Sequence, residues 1–265
     1  MLRTRLATAA LAIPALWLIV QYLPEALFAG FIGAVAAVGL YEFFTMALPD
    51  ARTERVLGIG CGLAVTAGVI ARRPDLWGAG LALTVVTGFA RTLWRHEDLP
   101  GAMNRLGLLL LGALYVGFFI PHVVLLRGIP EGWRWVLFTL FAAMGSDTGG
   151  YFAGRAWGRR KLLPAVSPGK TVEGALGAVG GAVVVALLCR LAFFRVLGIA
   201  EMVPLAVMVS VLAQFGDLCE SALKRAFGAK DSGWIIPGHG GILDRLDSLL
   251  FPFVYAYYYA ALPHG

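Results

Sequence analysis

The chain has 265 residues, of which 59% are hydrophobic and 14% charged, and its mean hydropathy is +0.77. So few charges cannot cover a water-facing surface, which excludes an ordinary soluble domain. The formal charge of +6, with a pI near 9.5, is dispersed among short loops and reads as a positive-inside signal rather than a nucleic-acid footprint, while Cys61, Cys189 and Cys219 lie too far apart for a disulfide framework or a paired metal site.

Apolar runs recur from Leu6 to Leu262, most of them approaching the roughly 20 residues that cross about 30 Å of hydrocarbon. Arg3 and Arg5 precede the first run as they would in a signal peptide. Only the short break Leu23-Pro24-Glu25 follows, however, so Leu6 to Tyr22 is expected to be a retained span. Further spans are expected at Ala26 to Leu48, Val56 to Ala71, Leu76 to Leu93, Leu106 to Leu126, Trp133 to Ala153, Val172 to Phe194, Val203 to Cys219 and Gly241 to Leu262, about nine in all. The third and eighth are short for a full crossing, so one is expected to tilt, extend into the interface or be partly re-entrant. The expected fold class is all-α: a polytopic integral-membrane helical bundle.

With the N-terminus inside, the cytoplasmic segments receive Arg3, Arg5, Arg52, Arg55, Arg95, Arg105, Arg155, Arg159, Arg160, Lys161, Lys170, Lys224, Arg225 and Lys230. Mainly Arg72, Arg73, Arg127, Arg134 and Arg195 remain opposite. This asymmetry places the loops Gly154 to Thr171 and Ser221 to Gly240 in the cytoplasm, where nucleotides are available. Residues 1–134 have few ionisable groups inside their spans and read as transmembrane scaffold. Residues 135–265 read as the transmembrane catalytic region with its cytoplasmic loops, the two halves forming one integral unit. In that second half Asp147, Glu173, Asp217, Glu220, Asp244, Arg245 and Asp247 sit within or at the ends of apolar runs, where an ionised group costs several kcal/mol unless paired, hydrated or metal-bound.

Three groupings stand out. Helical spacing puts Asp217, Glu220, Ser221 and Lys224 on one face; a Glu220 to Lys224 ion pair at a helix end explains the last turn but not Asp217, which lies deepest in the apolar run. Asp244 and Asp247, i,i+3 neighbours opening the last span, are expected to converge with Asp217 on one hard cation. Oxygen-only ligands with positions left for phosphate oxygens suit Mg²⁺ better than Zn²⁺. His239 has no His or Cys at ligand spacing and reads equally as a cap, a loop residue or a functional group. Between these stripes Gly228, Gly233, Gly238, Gly240 and Gly241 expose backbone N–H groups beside Lys224, Arg225 and Lys230, an arrangement suited to a metal-bound polyphosphate.

The third grouping runs from Asp147 to Arg155 and continues from Ser167 to Gly174. Gly169-Lys170-Thr171 matches the end of a P-loop, but Pro164 stands where that motif needs glycine and the segment is a membrane loop without a preceding strand, so a P-loop is rejected. Lys170 and Ser167 remain candidate phosphate contacts. The spacings Gly150/Gly154 and Gly177/Gly181 predict close helix packing.

The run Ser221-Ala222-Leu223-Lys224-Arg225, then Lys230-Asp231, then Pro237-Gly238-His239-Gly240-Gly241, then Asp244-Arg245-Leu246-Asp247 spans 27 residues and closely resembles the signature of the phosphatidate cytidylyltransferase family, the CDP-diacylglycerol synthases. The Asp147 to Arg155 and Ser167 to Gly174 segments also look like motifs of that family. The resemblance implies a CTP-dependent, multispanning, homodimeric enzyme of a bacterial inner membrane, with its active site facing the cytoplasm and with Mg²⁺ as cofactor; a second, monovalent cation is left open. It implies Asp217, Asp244 and Asp247 as metal ligands and, with Lys224, as catalytic residues. Asp147, Ser167, Lys170, Glu173, Ser221, Arg225, Lys230, Asp231, His239 and Arg245 are implied to surround the substrates.

The implied reaction is in-line attack of a phosphatidate oxygen on the α-phosphorus of CTP, with pyrophosphate leaving. Two other readings remain: another CTP-using membrane enzyme, such as a polyprenol kinase or a cytidylyltransferase for a different lipid precursor, and a secondary transporter, since intramembrane acids and glycine-broken helices also mark ion pathways. No repeated half supports transport, and acids clustered with a basic loop suit phosphate chemistry better than a proton relay.

Overall fold

The computed structural model describes residues 14–94, 99–233 and 240–262. A helix over residues 14–22 (α1) precedes α2 (Glu25–Ala47), α3 (Arg52–Ile70), α4 (Pro74–Trp94) and α5 (Leu99–Gly112), which widens into a π-helical turn at Ala113–Phe118 before α6 (His122–Arg127). Next come α7 (Gly132–Trp157), a hairpin of β1 (Lys161–Leu163) and β2 (Ser167–Thr171), α8 (Val172–Ala192) and α9 (Ile199–Ala226), and the last described elements are α10 (Leu243–Leu246) and α11 (Leu250–Ala261).

The chain is an all-α membrane helical bundle, as its hydropathy requires. Among the described residues, 6 helices are long and apolar enough to cross a bilayer: α2, α3, α4, the continuous Leu99–Arg127 rod, α8 and α9. The expected count of about nine is not reproduced. Residues 6–13 of the first expected span lie outside the described residues, and α7 has the length, at 26 residues, but its apolar run is interrupted by Asp147, Thr148 and paired glycines.

The last expected span is corrected more substantially. Gly241 to Leu262 is not one helix: a 4-residue α10 and a 12-residue α11 are separated by a turn, and α11 reaches only about 18 Å, short of the hydrocarbon thickness. Asp247 Oδ1 accepts the Ser248 N–H at 2.7 Å and Leu249 N–H bonds to Leu246 O at 2.8 Å. These local bonds compete with the i→i−4 ladder and break it at the acids. The eighth expected span is not short; α9 runs 28 residues, about 42 Å, and carries the whole polar stripe from Asp217 to Arg225 on continuous helix.

The tightest seam in the bundle joins α7 to α8. Gly145 and Gly149 face Gly177 and Gly181 so closely that none of the four has room for a Cβ, which confirms the close packing predicted from Gly177/Gly181. Gly150 and Gly154 are also close: an added Cβ would lie 3.3 Å from Ala178 Cβ and 3.3 Å from Thr171 Oγ1, respectively. The segment expected to be loop between these helices contains the antiparallel hairpin, with Lys161 opposite Thr171 and Leu163 opposite Ser167. Thr171 then caps α8 by accepting the Gly174 N–H at 3.1 Å, so the strand carrying Lys170 is tied directly to a membrane helix. A core containing the fully buried Phe43, Phe44, Phe138 and Phe194 holds the two halves of the chain together.

Candidate active site

Where α7, the hairpin, α8 and α9 meet, small residues leave an open cavity of about 610 Å³. Asp147, Gly150, Tyr151 and Arg155 line it from α7, Lys170 and Thr171 from β2, Gly174 and Ala178 from α8, and Gln214 and Asp217 from α9. The small side chains that let α7 and α8 approach each other also leave this space unfilled. Lys170 Nζ reaches across it to Asp217 Oδ2 at 2.7 Å, joining hairpin to α9 with a charge-assisted contact. Arg155 Nη1 donates to the Tyr151 hydroxyl at 3.0 Å.

Three carboxylates are grouped here, two of them, Asp147 and Asp217, on the cavity wall. Asp147, Asp217 and Asp247 lie within electrostatic range of one another. Besides Lys170 on Asp217 and the Ser248 N–H on Asp247, two hydroxyls stand at longer range: Ser221 Oγ faces Asp217 Oδ1 at 3.4 Å and Ser248 Oγ faces Asp147 Oδ2 at 3.4 Å. Tyr115, delivered by the π-helical turn of the Leu99–Arg127 rod, lies within electrostatic range of Glu220, Asp247 and Asp217, and its buried hydroxyl has no hydrogen-bond partner among the described residues.

Asp244 belongs to a different network. Its Oδ1 accepts Lys224 Nζ at 2.7 Å, and its Oδ2 accepts the Gly241 N–H at 2.8 Å and the Ser232 N–H and hydroxyl at 3.0 Å each. Lys224 Nζ also contacts Glu220 at 2.5 Å, the ion pair that helical spacing anticipated. The turn is made possible by Gly240, whose φ of +78° lies in the left-handed region that a side chain disfavours. Behind it, Glu42 of α2, 2% exposed, accepts the Ile242 N–H at 3.0 Å and the Leu243 N–H at 3.1 Å.

Of the three expected metal ligands, Asp217 and Asp247 interact electrostatically with each other and with Asp147, whereas Asp244 is bonded to Lys224, Ser232 and Gly241. Among the described residues no three His, Cys, Asp or Glu side chains are close enough to hold an ion unaided. The all-oxygen donor set of Asp147, Asp217 and Asp247 still fits a hard divalent cation whose remaining positions are taken by phosphate oxygens.

Other expected contacts fall outside the cavity. Glu173 accepts the Arg159 N–H at 3.0 Å and the Arg160 N–H at 3.1 Å, which closes the loop after α7 and leaves that carboxylate off the cavity wall. Ser167 sits at the start of β2 away from the wall, and Arg225, Lys230, Asp231 and Arg245 are exposed and do not line it. Ser221 is half-buried beside Asp217, and His239 lies outside the described residues. Sequence reasoning missed Glu42, Gln214, Tyr115, Ser232 and Ser248. Glu42 carried a usable signal, since it is an acid inside an apolar run, the criterion that singled out Asp217; the neutral residues carried none.

The sequence profile of the family described as "Cytidylyltransferase family" matches residues 3–262. A protein of Thermotoga maritima named "Phosphatidate cytidylyltransferase" is 30% identical over 257 residues, covering 94% of this chain and 93% of that protein. Proteins of the same name from Bacillus subtilis and Staphylococcus epidermidis are 39% identical over 160 residues and 41% identical over 142 residues. Those two matches span 60% and 54% of each chain, respectively.

Proposed function

The chain belongs to the cytidylyltransferase family, and from that premise we propose that it transfers the cytidylyl group of CTP to phosphatidate, giving CDP-diacylglycerol and pyrophosphate. The observation that carries this reading is the Lys170–Asp217 pair set across a cavity of about 610 Å³ with Asp147 and Asp247 beside it. The volume falls within the roughly 300–1,000 Å³ of small-ligand sites. Phosphoryl groups need both kinds of charge found there: a cation to pair with phosphate, and acids to hold the divalent ion that accompanies a triphosphate.

The lipid phosphate has a second pKa of about 6, so at neutral pH it is largely dianionic and needs no general base. One of its oxygens bonds to the α-phosphorus of CTP as the bond to the bridging oxygen of the β-phosphate breaks, and the electron pair departs with pyrophosphate. Lys170 exchanges its contact with Asp217 for a phosphate oxygen, and Arg155, on the same wall, offsets further charge. Gly150, Gly154 and Gly174 let α7, Thr171 and α8 close on one another along this wall. Mg²⁺ held by Asp147, Asp217 and Asp247 would supply charge neutralisation on the triphosphate. The remaining work is positioning, for which the α7–α8 seam is the rigid frame.

The cavity lies at the end of the bundle that carries Arg155, Arg159, Arg160, Lys161, Lys170, Lys224 and Arg225, so positive-inside asymmetry turns it toward the cytoplasm of a bacterial inner membrane. Acyl chains remain in lipid while the headgroup enters. A homodimer is the assembly proposed from the family resemblance. Radiolabelled CTP in detergent micelles tests the reading: label must pass to lipid only when phosphatidate and Mg²⁺ are both present, with pyrophosphate released. Release of CDP instead would identify a kinase and overturn it.

A further inference from the structure

Glu42 is a carboxylate from the first half of the chain that reaches this centre. It lies inside the apolar helix α2, is 2% exposed, and pairs with no lysine or arginine among the described residues. Such a carboxylate costs several kcal/mol at membrane depth unless donors surround it, and here the donors are backbone. Oε1 accepts the Ile242 N–H at 3.0 Å and Oε2 accepts the Leu243 N–H at 3.1 Å. The Ser232 hydroxyl, whose nearer acceptor is Asp244, stands 3.4 Å from Oε2.

The opposing segment is shaped to this carboxylate. A Cβ placed on Gly233 would lie 2.5 Å from Glu42 Oε1, and one placed on Gly241 would lie 2.5 Å from Oε2. Both approaches require the absence of a side chain at those positions. From this anchor two paths lead into the centre. Gly241 N–H passes to Asp244, which holds Lys224, and the turn that begins at Ile242 ends at Asp247, one of the three converging acids.

We propose that Glu42 is a positioning residue of the active centre: by fixing the two amides that open the Ile242–Asp247 turn, it holds Asp247 against Asp147 and Asp217 and sets Asp244 on Lys224. The catalytic consequence rests on the proposed cytidylyl transfer, whereas the loop restraint does not. Gln at this position keeps size but replaces one acceptor oxygen by an NH₂ that faces an N–H donor.

The test uses the full chain in detergent with Glu42→Gln and two readouts. Amide exchange in a peptide covering residues 240–246 is expected to quicken at least about tenfold while peptides from α3 and α4 exchange as in the wild type. Turnover is expected to fall about 20- to 100-fold with KM for CTP changed less than about threefold, because the phosphate contacts on the cavity wall are untouched. Glu42→Asp, which keeps two acceptors, is expected to recover part of the turnover. Unchanged exchange at residues 240–246 overturns the restraint; faster exchange with wild-type turnover reduces Glu42 to a structural residue and overturns the catalytic role. If Glu42→Gln does not accumulate, Gly233→Ala presses on the same carboxylate from the loop side: it is expected to quicken the same exchange and lower turnover, and no change in either readout overturns the corresponding role. Absence of cytidylyl transfer in the wild type would instead defeat the proposed reaction and leave the exchange result standing.

Discussion

Replacing Lys170 by Met separates a phosphate contact from a structural ion pair. The Lys170–Asp217 pair is 2.7 Å long and its side chains are 25% and 34% exposed while Lys170 Nζ itself is buried, so its contribution to stability is about 1 kcal/mol, the upper end for exposed pairs. Met fills the same volume, and Asp217 can hydrate in the cavity once the ammonium is gone. The apparent Tm should therefore move by less than about 4 °C. A charge-assisted hydrogen bond to phosphate is worth about 1.5–3 kcal/mol, so kcat/KM for CTP should drop roughly 10- to 150-fold. The Mg²⁺ requirement should not rise, since the cation competing for Asp217 has been removed. The assay is transfer of label from CTP to phosphatidate in micelles across a CTP and Mg²⁺ titration, with thermal unfolding measured on the same preparation. A Lys170→Met enzyme with kcat/KM within about twofold of wild type, or one whose activity is lost only in proportion to its Tm, would refute the phosphate role and leave Lys170 as a tie between β2 and α9.

The two acid networks should respond differently to neutralisation. Asp217→Asn and Asp247→Asn should lose turnover by about 100-fold or more and shift the Mg²⁺ dependence to higher concentration; Asp244→Asn should lose turnover without such a shift, because its oxygens serve Lys224, Ser232 and the Gly241 amide. Equal Mg²⁺ shifts in all three would restore Asp244 to the ligand set. Glu173→Gln keeps a side-chain acceptor for the Arg159 and Arg160 amides and should cost turnover less than about fivefold, so near-complete loss would mean that its charge acts on substrate. Single cysteines at Lys170 and Lys230 should resist an impermeant reagent in intact cells and react after permeabilisation; labelling from outside would reverse the orientation.

Much of this protein was legible before any coordinates. The hydropathy required a helical membrane bundle, since only closed backbone hydrogen bonding survives in hydrocarbon, and the acids of the second half marked the region of the cavity because an ionised group at that depth needs a reason. Spacing within one helix was equally dependable: Glu220 and Lys224 pair as their separation of four demands, and Gly177 and Gly181 face a partner helix.

Relations between segments were a different matter. Asp244 and Asp247 share a face only while the helix between them continues, and the Ser248 and Leu249 amides bond locally instead. Helical periodicity could not anticipate that choice, because it depends on how the turn packs against Gly216 of α9 and Glu42 of α2. That Asp147 lies near Asp217 and Asp247 while Asp244 bonds to Lys224 has the same cause. The sequence by itself determined which chemical groups lie at membrane depth, a property of composition along one segment. Only tertiary structure decided which carboxylates face one another and that Glu42, 200 residues before Ile242 in the chain, supports the turn beneath them, because those contacts are made by surfaces that close on each other only when the bundle is assembled.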